Sequence, residues 1–154
     1  MRGVKAKKRQ MNPDPLFKSR VVTRMINKVM LHGEKSVAEG VVYSAIESLA
    51  KDAKEGIKLF EEAVKNVMPK QEVRSRRVGG ATYQVPFPTK HDRAEALAVR
   101  WIVDAARGRS GKPMAARLTD ELKNAYEGVG DAIRKRDDTH KMAEANKAFS
   151  HFRF

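Results

Sequence analysis

The side chains best equipped for chemistry in this sequence are guanidinium groups. Arg74, Arg76 and Arg77 crowd the stretch 73–85, together with Tyr83 and Gln84. A guanidinium offers a rigid fork of donors that fits a phosphate with two parallel hydrogen bonds, and its flat face stacks on bases. Gly79-Gly80 stands between two short runs of strand formers, the composition of a two-residue hairpin turn that needs positive φ. Such a turn sets Val78 opposite Ala81, Arg76 opposite Tyr83 and Arg74 opposite Val85. Arg74 and Arg76 then share one face with Tyr83 and Val85, while Arg77 points the other way with Ser75, Thr82 and Gln84. Neither face is cleanly apolar, so the ribbon cannot lie flat on a core along its whole length. A free two-stranded hairpin is marginal in water. A bound polyanion would hold it; an edge ribbon that uses Arg for solubility is the plainer alternative.

Other cations are spaced to act together. Arg20, Arg24 and Lys28 recur every four residues, with Asn27 beside them, and the apolar residues take the opposite arc of the same helix. No acidic residue lies between Ser19 and Gly33 to neutralise the stripe. Like charges at this spacing repel along an isolated helix, and a row of phosphates would make them favourable. Arg93, Arg100 and Arg107 are seven apart, with Asp104 placed to compete by intrahelical pairing. Arg134-Lys135-Arg136 and Lys141 are also basic, but the pairs Asp131/Lys135 and Asp137/Lys141 fit ordinary helix-surface ion pairing. The end of the chain, from Ser150, is cationic and aromatic. Phe152 and Phe154 could stack on bases or tuck against the bundle.

Catalytic constellations are poor. His32, His91, His140 and His151 lie in different elements without metal-ligand spacing. The segment Gly108-Arg109-Ser110-Gly111-Lys112 resembles a phosphate loop only faintly. It has too few residues between its glycines, and Pro113 stands where Ser or Thr is required. Asp137 and Asp138 beside His140 read as alternating charges on a solvated helix rather than a metal site.

These residues must be carried by helices. Apolar spacing predicts helices over about 19–32, 35–53, 57–68, 91–107, 113–127 and 131–149, with Pro and Gly punctuating the joins. In the second, Val37, Val41, Ala45 and Leu49 stack four apart beside Val42 and Ile46. In the fourth, Ala94, Leu97, Ala98, Trp101, Ile102 and Ala105 point inward. In the fifth, which opens on Pro113 at its first position, Leu118, Leu122, Ala125 and Tyr126 do so. The expected fold is mainly α: a six-helix bundle with one β-hairpin, 72–87, inserted between helices three and four. Residues 1–12 have no hydrophobic period and form an extended basic arm; 13–154 form one helical domain.

The 154 residues carry a net charge of +13, which a compact domain tolerates best when a polyanion neutralises it. The excess is uneven. Residues 1–35 hold ten basic and two acidic side chains, whereas 36–69 are slightly acidic. There is no cysteine, hence no disulfide framework or thiolate metal site. No run of about 18 apolar residues exists to span a bilayer, and the first residues are basic and polar, unlike a signal peptide. A soluble cytoplasmic protein that binds a polyanion, without cofactor, metal or membrane, is the expectation.

Three stretches resemble one known family. Arg76-Arg77-Val78-Gly79-Gly80-Ala81-Thr82-Tyr83-Gln84-Val85-Pro86 is similar to the hairpin signature of the bacterial small-subunit ribosomal protein seven family. Residues 140–153, His-Lys-Met-Ala-Glu-Ala-Asn-Lys-Ala-Phe-Ser-His-Phe-Arg, resemble its C-terminal signature, and 14–44 its N-terminal one, through Gly33, Lys35, Val41, Val42 and Ser44. Ala98-Val99-Arg100-Trp101 fits as well. The chain departs from the pattern at Glu34 and at Thr89-Lys90-His91-Asp92, where the family is more basic.

The resemblance implies a non-enzymatic constituent of the small ribosomal subunit. It implies primary binding to the 3′ major domain of 16S rRNA, nucleation of the subunit head, and a place at the subunit interface near the E-site tRNA and the mRNA path. It implies ribosomal proteins nine and eleven as neighbours, with thirteen and nineteen further ones. Charge and resemblance together give the expected RNA-binding set. Arg2, Lys5, Lys7, Lys8 and Arg9 lie in the arm; Lys18, Arg20, Arg24, Lys28 and Lys35 lie on and around the first helix. Arg74, Arg76, Arg77, Gly79, Gly80, Tyr83 and Gln84 form the hairpin. Arg93, Arg100 and Lys112 follow, and Lys141, Asn146, Lys147 and Arg153 close the chain. The other classes left open by composition are a DNA-binding architectural protein and a small enzyme acting on RNA.

Overall fold

The computed structural model describes Gly3, Ala6 and residues 9–152. Among them are six α-helices, one 3-10 helix and two strands. In chain order these are α1 (Arg20–Val29), α2 (Lys35–Glu47), α3 (Ala53–Val67), β1 (Gln71–Val78), β2 (Ala81–Pro88), α4 (His91–Gly108), α5 (Met114–Tyr126), α6 (Asp131–Ala145) and the 3-10 helix Lys147–Phe152. The protein is therefore mainly helical with one antiparallel hairpin between α3 and α4, as the sequence implies.

The apolar arcs meet around α5, which packs on α2, α3 and α4. Met25, Ile26, Ile46, Phe60, Ile102, Leu118 and Leu122 are fully buried there. The α2–α3 corner depends on Gly56. A Cβ at that position would sit 2.7 Å from the Ile46 carbonyl oxygen, so only glycine allows α3 to start this close to the end of α2.

Helix ends and faces differ from the sequence reading at several points. The first helix stops at Val29, and His32 and Gly33 turn the chain at positive φ. The second stops at Glu47 rather than near 53, where Ser48 turns its hydroxyl back onto the Ser44 carbonyl (2.7 Å). Its inward face is Ala38, Val42, Ala45 and Ile46, whereas Val37 is 59% exposed. A face rich in alanine lets α2 approach its neighbours closely, which the larger Val37 would prevent. Tyr126 is also solvent-facing, 46% exposed at the last turn of α5, and Trp101 and Ala105 are only half-buried. Pro113 precedes α5 as its cap rather than opening it. The last helix divides at Asn146, whose side-chain amide donates to the Met142 carbonyl at 2.8 Å and ends α6.

Two buried carboxylates organise the joins. Glu121, fully buried on α5, accepts the Ala132 backbone N–H at 3.0 Å and pairs with Arg109. It thereby caps the first turn of α6, whose own cap residue is Gly130. Asp14 accepts the backbone N–H groups of Leu16 (3.1 Å) and Phe17 (3.0 Å) and the Tyr43 hydroxyl (2.7 Å). That fastens the segment before α1 onto α2. Burial, reinforced by the Asp14 carboxylate, pushes the Tyr43 hydroxyl up to about 12.

Candidate nucleic-acid interface

A groove of about 300 Å³ runs between α1 and α4, lined by Arg24, Asn27, Lys28 and Arg100, with Met11 at its side. The side chains of the α1 stripe are not all free. Arg24 pairs with Glu95 at 2.8 Å and its guanidinium also donates to the Asp92 carbonyl at 3.4 Å. Lys28 lies 3.9 Å from Asp104. The acids absent from α1 itself are supplied by α4, so the stripe is partly neutralised across the helix pair. Arg20 and Arg100 are exposed at its edges.

The three heptad-spaced arginines of α4 do three different things. Arg93 reaches Glu72 at the root of the hairpin (3.3 Å). Arg100 lines the groove. Arg107 donates to the carbonyls of Lys28 (3.3 Å) and Val29 (3.2 Å), satisfying the open C-terminal end of α1. Asp104 pairs across to Lys28 rather than within its own helix. The hooks that hold α1 in register on α4 therefore come from the groove's own charged residues.

The hairpin register is the one expected: Val78 faces Ala81, Arg76 faces Tyr83 and Arg74 faces Val85. Gly79 and Gly80 adopt φ of 58° and 92°, the two positive values such a turn needs. Root and tip differ. At the root Val85 is fully buried, and Glu72, only 7% exposed, accepts from both Arg74 (2.7 Å) and Arg93. Arg74 and Arg76 lie over the Phe87 ring, 5.6 and 5.8 Å from its centre. At the tip Arg77, Gly79, Gly80, Thr82 and Gln84 are exposed. On the Arg74/Arg76 face Val85 is buried and Arg76 and Tyr83 are half-buried while Arg74 stays exposed; the Arg77/Gln84 face is turned to solvent.

The C-terminal aromatics pack on the hairpin. Tyr83 lies 5.2 Å from Phe149 and 5.1 Å from Phe152, and Arg76 donates to the Phe152 carbonyl at 3.5 Å. Phe152 packs on the hairpin rather than against the bundle, a placement neither reading named; Phe154 lies outside the described residues. Nearby, His140 accepts the backbone N–H of Lys70 through Nε2 at 3.0 Å, tying α6 to the start of β1. Burial, then the Arg136 charge, holds this imidazole below its usual range. Asp137 is engaged by Arg136 (2.6 Å) and Asp131 by Arg134 (3.5 Å), in place of the expected i,i+4 pairs with Lys141 and Lys135. No group of three or more His, Cys, Asp or Glu able to hold a metal occurs among the described residues.

The remaining expected contacts are scattered. Arg2, Lys5, Lys7, Lys8 and Arg153 lie outside the described residues. Arg9, Lys18, Lys141 and Lys147 are exposed. Lys35 pairs with Glu39 at 3.4 Å, and Lys112 with Asp120 at 2.7 Å, which holds that carboxyl below its ordinary range. Sequence reasoning missed Arg107, Arg109 and Arg117 as a turn-holding group. Arg117 donates to the carbonyls of Arg107 (3.4 Å) and Arg109. It also missed Glu72 and Glu95 as anchors for Arg93 and Arg24, pairs remote in sequence that leave no local spacing to read.

Residues 1–147 match the family model described as ribosomal protein S7p/S5e. The chain is 54% identical, over the whole of both chains, to the small ribosomal subunit protein uS7 of Fervidobacterium nodosum. It is 55% identical to proteins of the same name from Brucella canis and Brucella suis, over 97% of each chain.

Proposed function

We propose that this chain, which belongs to the ribosomal protein S7p/S5e family, acts as a primary binder of the 3′ major domain of 16S rRNA. In that role it nucleates assembly of the subunit head, as a structural constituent of the small ribosomal subunit. The observation that carries this reading is the α1–α4 groove. Arg24, Lys28 and Arg100 line a slot between two helices, and the salt bridge to Glu95 of α4 holds Arg24 in place before any ligand arrives. Prepositioned cations on helices track a phosphate backbone at low ordering cost.

The hairpin supplies the second contact. Its tip carries Arg77, Thr82 and Gln84 on the exposed face, suited to unpaired or irregular RNA. With the C-terminal segment packed on it, this end of the molecule faces the E-site tRNA and the mRNA path at the subunit interface. Ribosomal proteins nine and eleven are its neighbours there, with thirteen and nineteen further ones. No helix among the described residues is long and apolar enough to cross a membrane.

Chemical footprinting of the protein on naked 16S rRNA tests the reading. Protection is expected within the 3′ major domain and should vanish first there as salt rises. Protection spread evenly over the rRNA, or equal affinity for random duplex DNA, would overturn it in favour of a general polyanion binder.

A further inference from the structure

A cavity larger than the groove lies where α6, the root of the hairpin and the 3-10 helix meet. It measures about 510 Å³, within the range of small-ligand sites. Its walls combine two cations, Lys70 and Lys147, with His140, Gln71, Glu144 and the buried Pro86. The imidazole is already held. Nε2 accepts the Lys70 N–H, so the neutral ring keeps its proton on Nδ1. The cavity thus combines cationic, acidic and amide groups on its walls.

We propose that this cavity holds one nucleotide of single-stranded RNA whose base carries an exocyclic amino group. The inference rests on the RNA-binding reading above and adds a subsite to it. Lys70 and Lys147 take the phosphate, and the Glu144 carboxylate accepts from the amino group, as acidic side chains do from cytosine N4. Uracil presents a carbonyl at the same place and leaves Glu144 facing an acceptor, so cytidine is favoured over uridine. Gln71 and the His140 ring fix the remaining polar edge. The 3-10 helix closes the cavity, because Ser150 lies on its wall.

The test is a titration of the full chain with cytidine 5′-monophosphate, uridine 5′-monophosphate and inorganic phosphate, following the imidazole resonances of His140 by NMR. Cytidine monophosphate is expected to shift them saturably, with about ten-fold tighter apparent binding than uridine monophosphate. The gap should close in Glu144→Gln, whose amide serves either base. Lys147→Gln, at an exposed position, should weaken both nucleotides several-fold. Ser150→Phe, which fills the cavity, should abolish the response. Glu144→Gln and Ser150→Phe should bind a 3′ major domain RNA fragment through the α1–α4 groove as the parent chain does, so failure of the pocket and failure of the groove are read separately. No saturable shift with either nucleotide, an equal shift with inorganic phosphate alone, or a response unchanged by Ser150→Phe and Lys147→Gln would each overturn the proposal.

Discussion

The rings of Tyr83 and Phe152 lie 5.1 Å apart, centre to centre, and that contact joins the hairpin to the last described turn of the chain. A two-stranded ribbon has too little buried surface to order itself. Here Phe149 and Phe152 pack on Tyr83 and add apolar cover to the hairpin beside that of α6. Aromatic pairs contribute about 0.5–1.5 kcal/mol each beyond their buried area. Replacing both phenylalanines with alanine should therefore raise hydrogen exchange of the hairpin amides by roughly ten- to a hundredfold. The α-helical amides should change little. Hairpin protection equal to the parent's would show that the tail does not order it.

Gly56→Ala should destabilise the bundle without touching any basic residue. The added carbon meets the Ile46 carbonyl at 2.7 Å, and backbone cannot yield as a flexible side chain can. Overpacking of this kind costs about 1–3 kcal/mol. A thermal melt should show a drop of roughly 2–4 °C for each kcal/mol in a chain of this size. An unchanged melting temperature would mean that the α2–α3 corner shifts freely.

Tyr43 sets an alkaline limit. Its folded-state pKa is raised to about 12 against an ordinary value of 10. The neutral phenol is therefore the form the fold prefers. Its contribution is whole below pH 10 and is lost as pH climbs through about 12. Stability measured by urea unfolding should fall over that window in the parent chain, and less steeply in Tyr43→Phe. Parallel curves would remove the Tyr43–Asp14 contact as the cause.

His140 acts in the opposite direction. Its folded-state pKa is depressed, chiefly by burial, and only the neutral ring can accept the Lys70 N–H. This contribution is whole above the unfolded value near 6.5 and is lost as pH falls through the lower folded value. Acidification should loosen the hairpin root, seen as faster exchange of the Lys70 amide. In His140→Gln, whose amide oxygen can still accept, that acid dependence should flatten.

Some of this was legible in the chain and some was not. The hairpin register could be read because a two-residue Gly79-Gly80 turn leaves one pairing, and every residue after it is fixed by counting. The α1 core face could be read because Val22, Met25, Ile26 and Val29 are its only large apolar arc. α2 was ambiguous: it offers Val37 and Val41 on one arc and Ala38, Val42 and Ala45 on an overlapping one, and close packing selected the smaller residues. The α1 stripe was correctly placed but misjudged in charge, since Glu95 and Asp104 approach it only after α4 has folded alongside. Ion pairing between helices leaves no trace in local spacing.

The α1–α4 groove is tested most directly by the salt dependence of binding to the 16S rRNA 3′ major domain. Arg24 is best left intact, because its removal strands Glu95, whose side chain is 13% exposed. Arg20, Lys28 and Arg100 are more accessible and can be changed together to glutamine. Each phosphate contact contributes roughly 0.7–0.9 to the slope of log K against log salt concentration. The triple variant should keep its fold by circular dichroism and show a slope shallower by about 2–3. A slope equal to the parent's, with the fold intact, would contradict RNA binding through this groove.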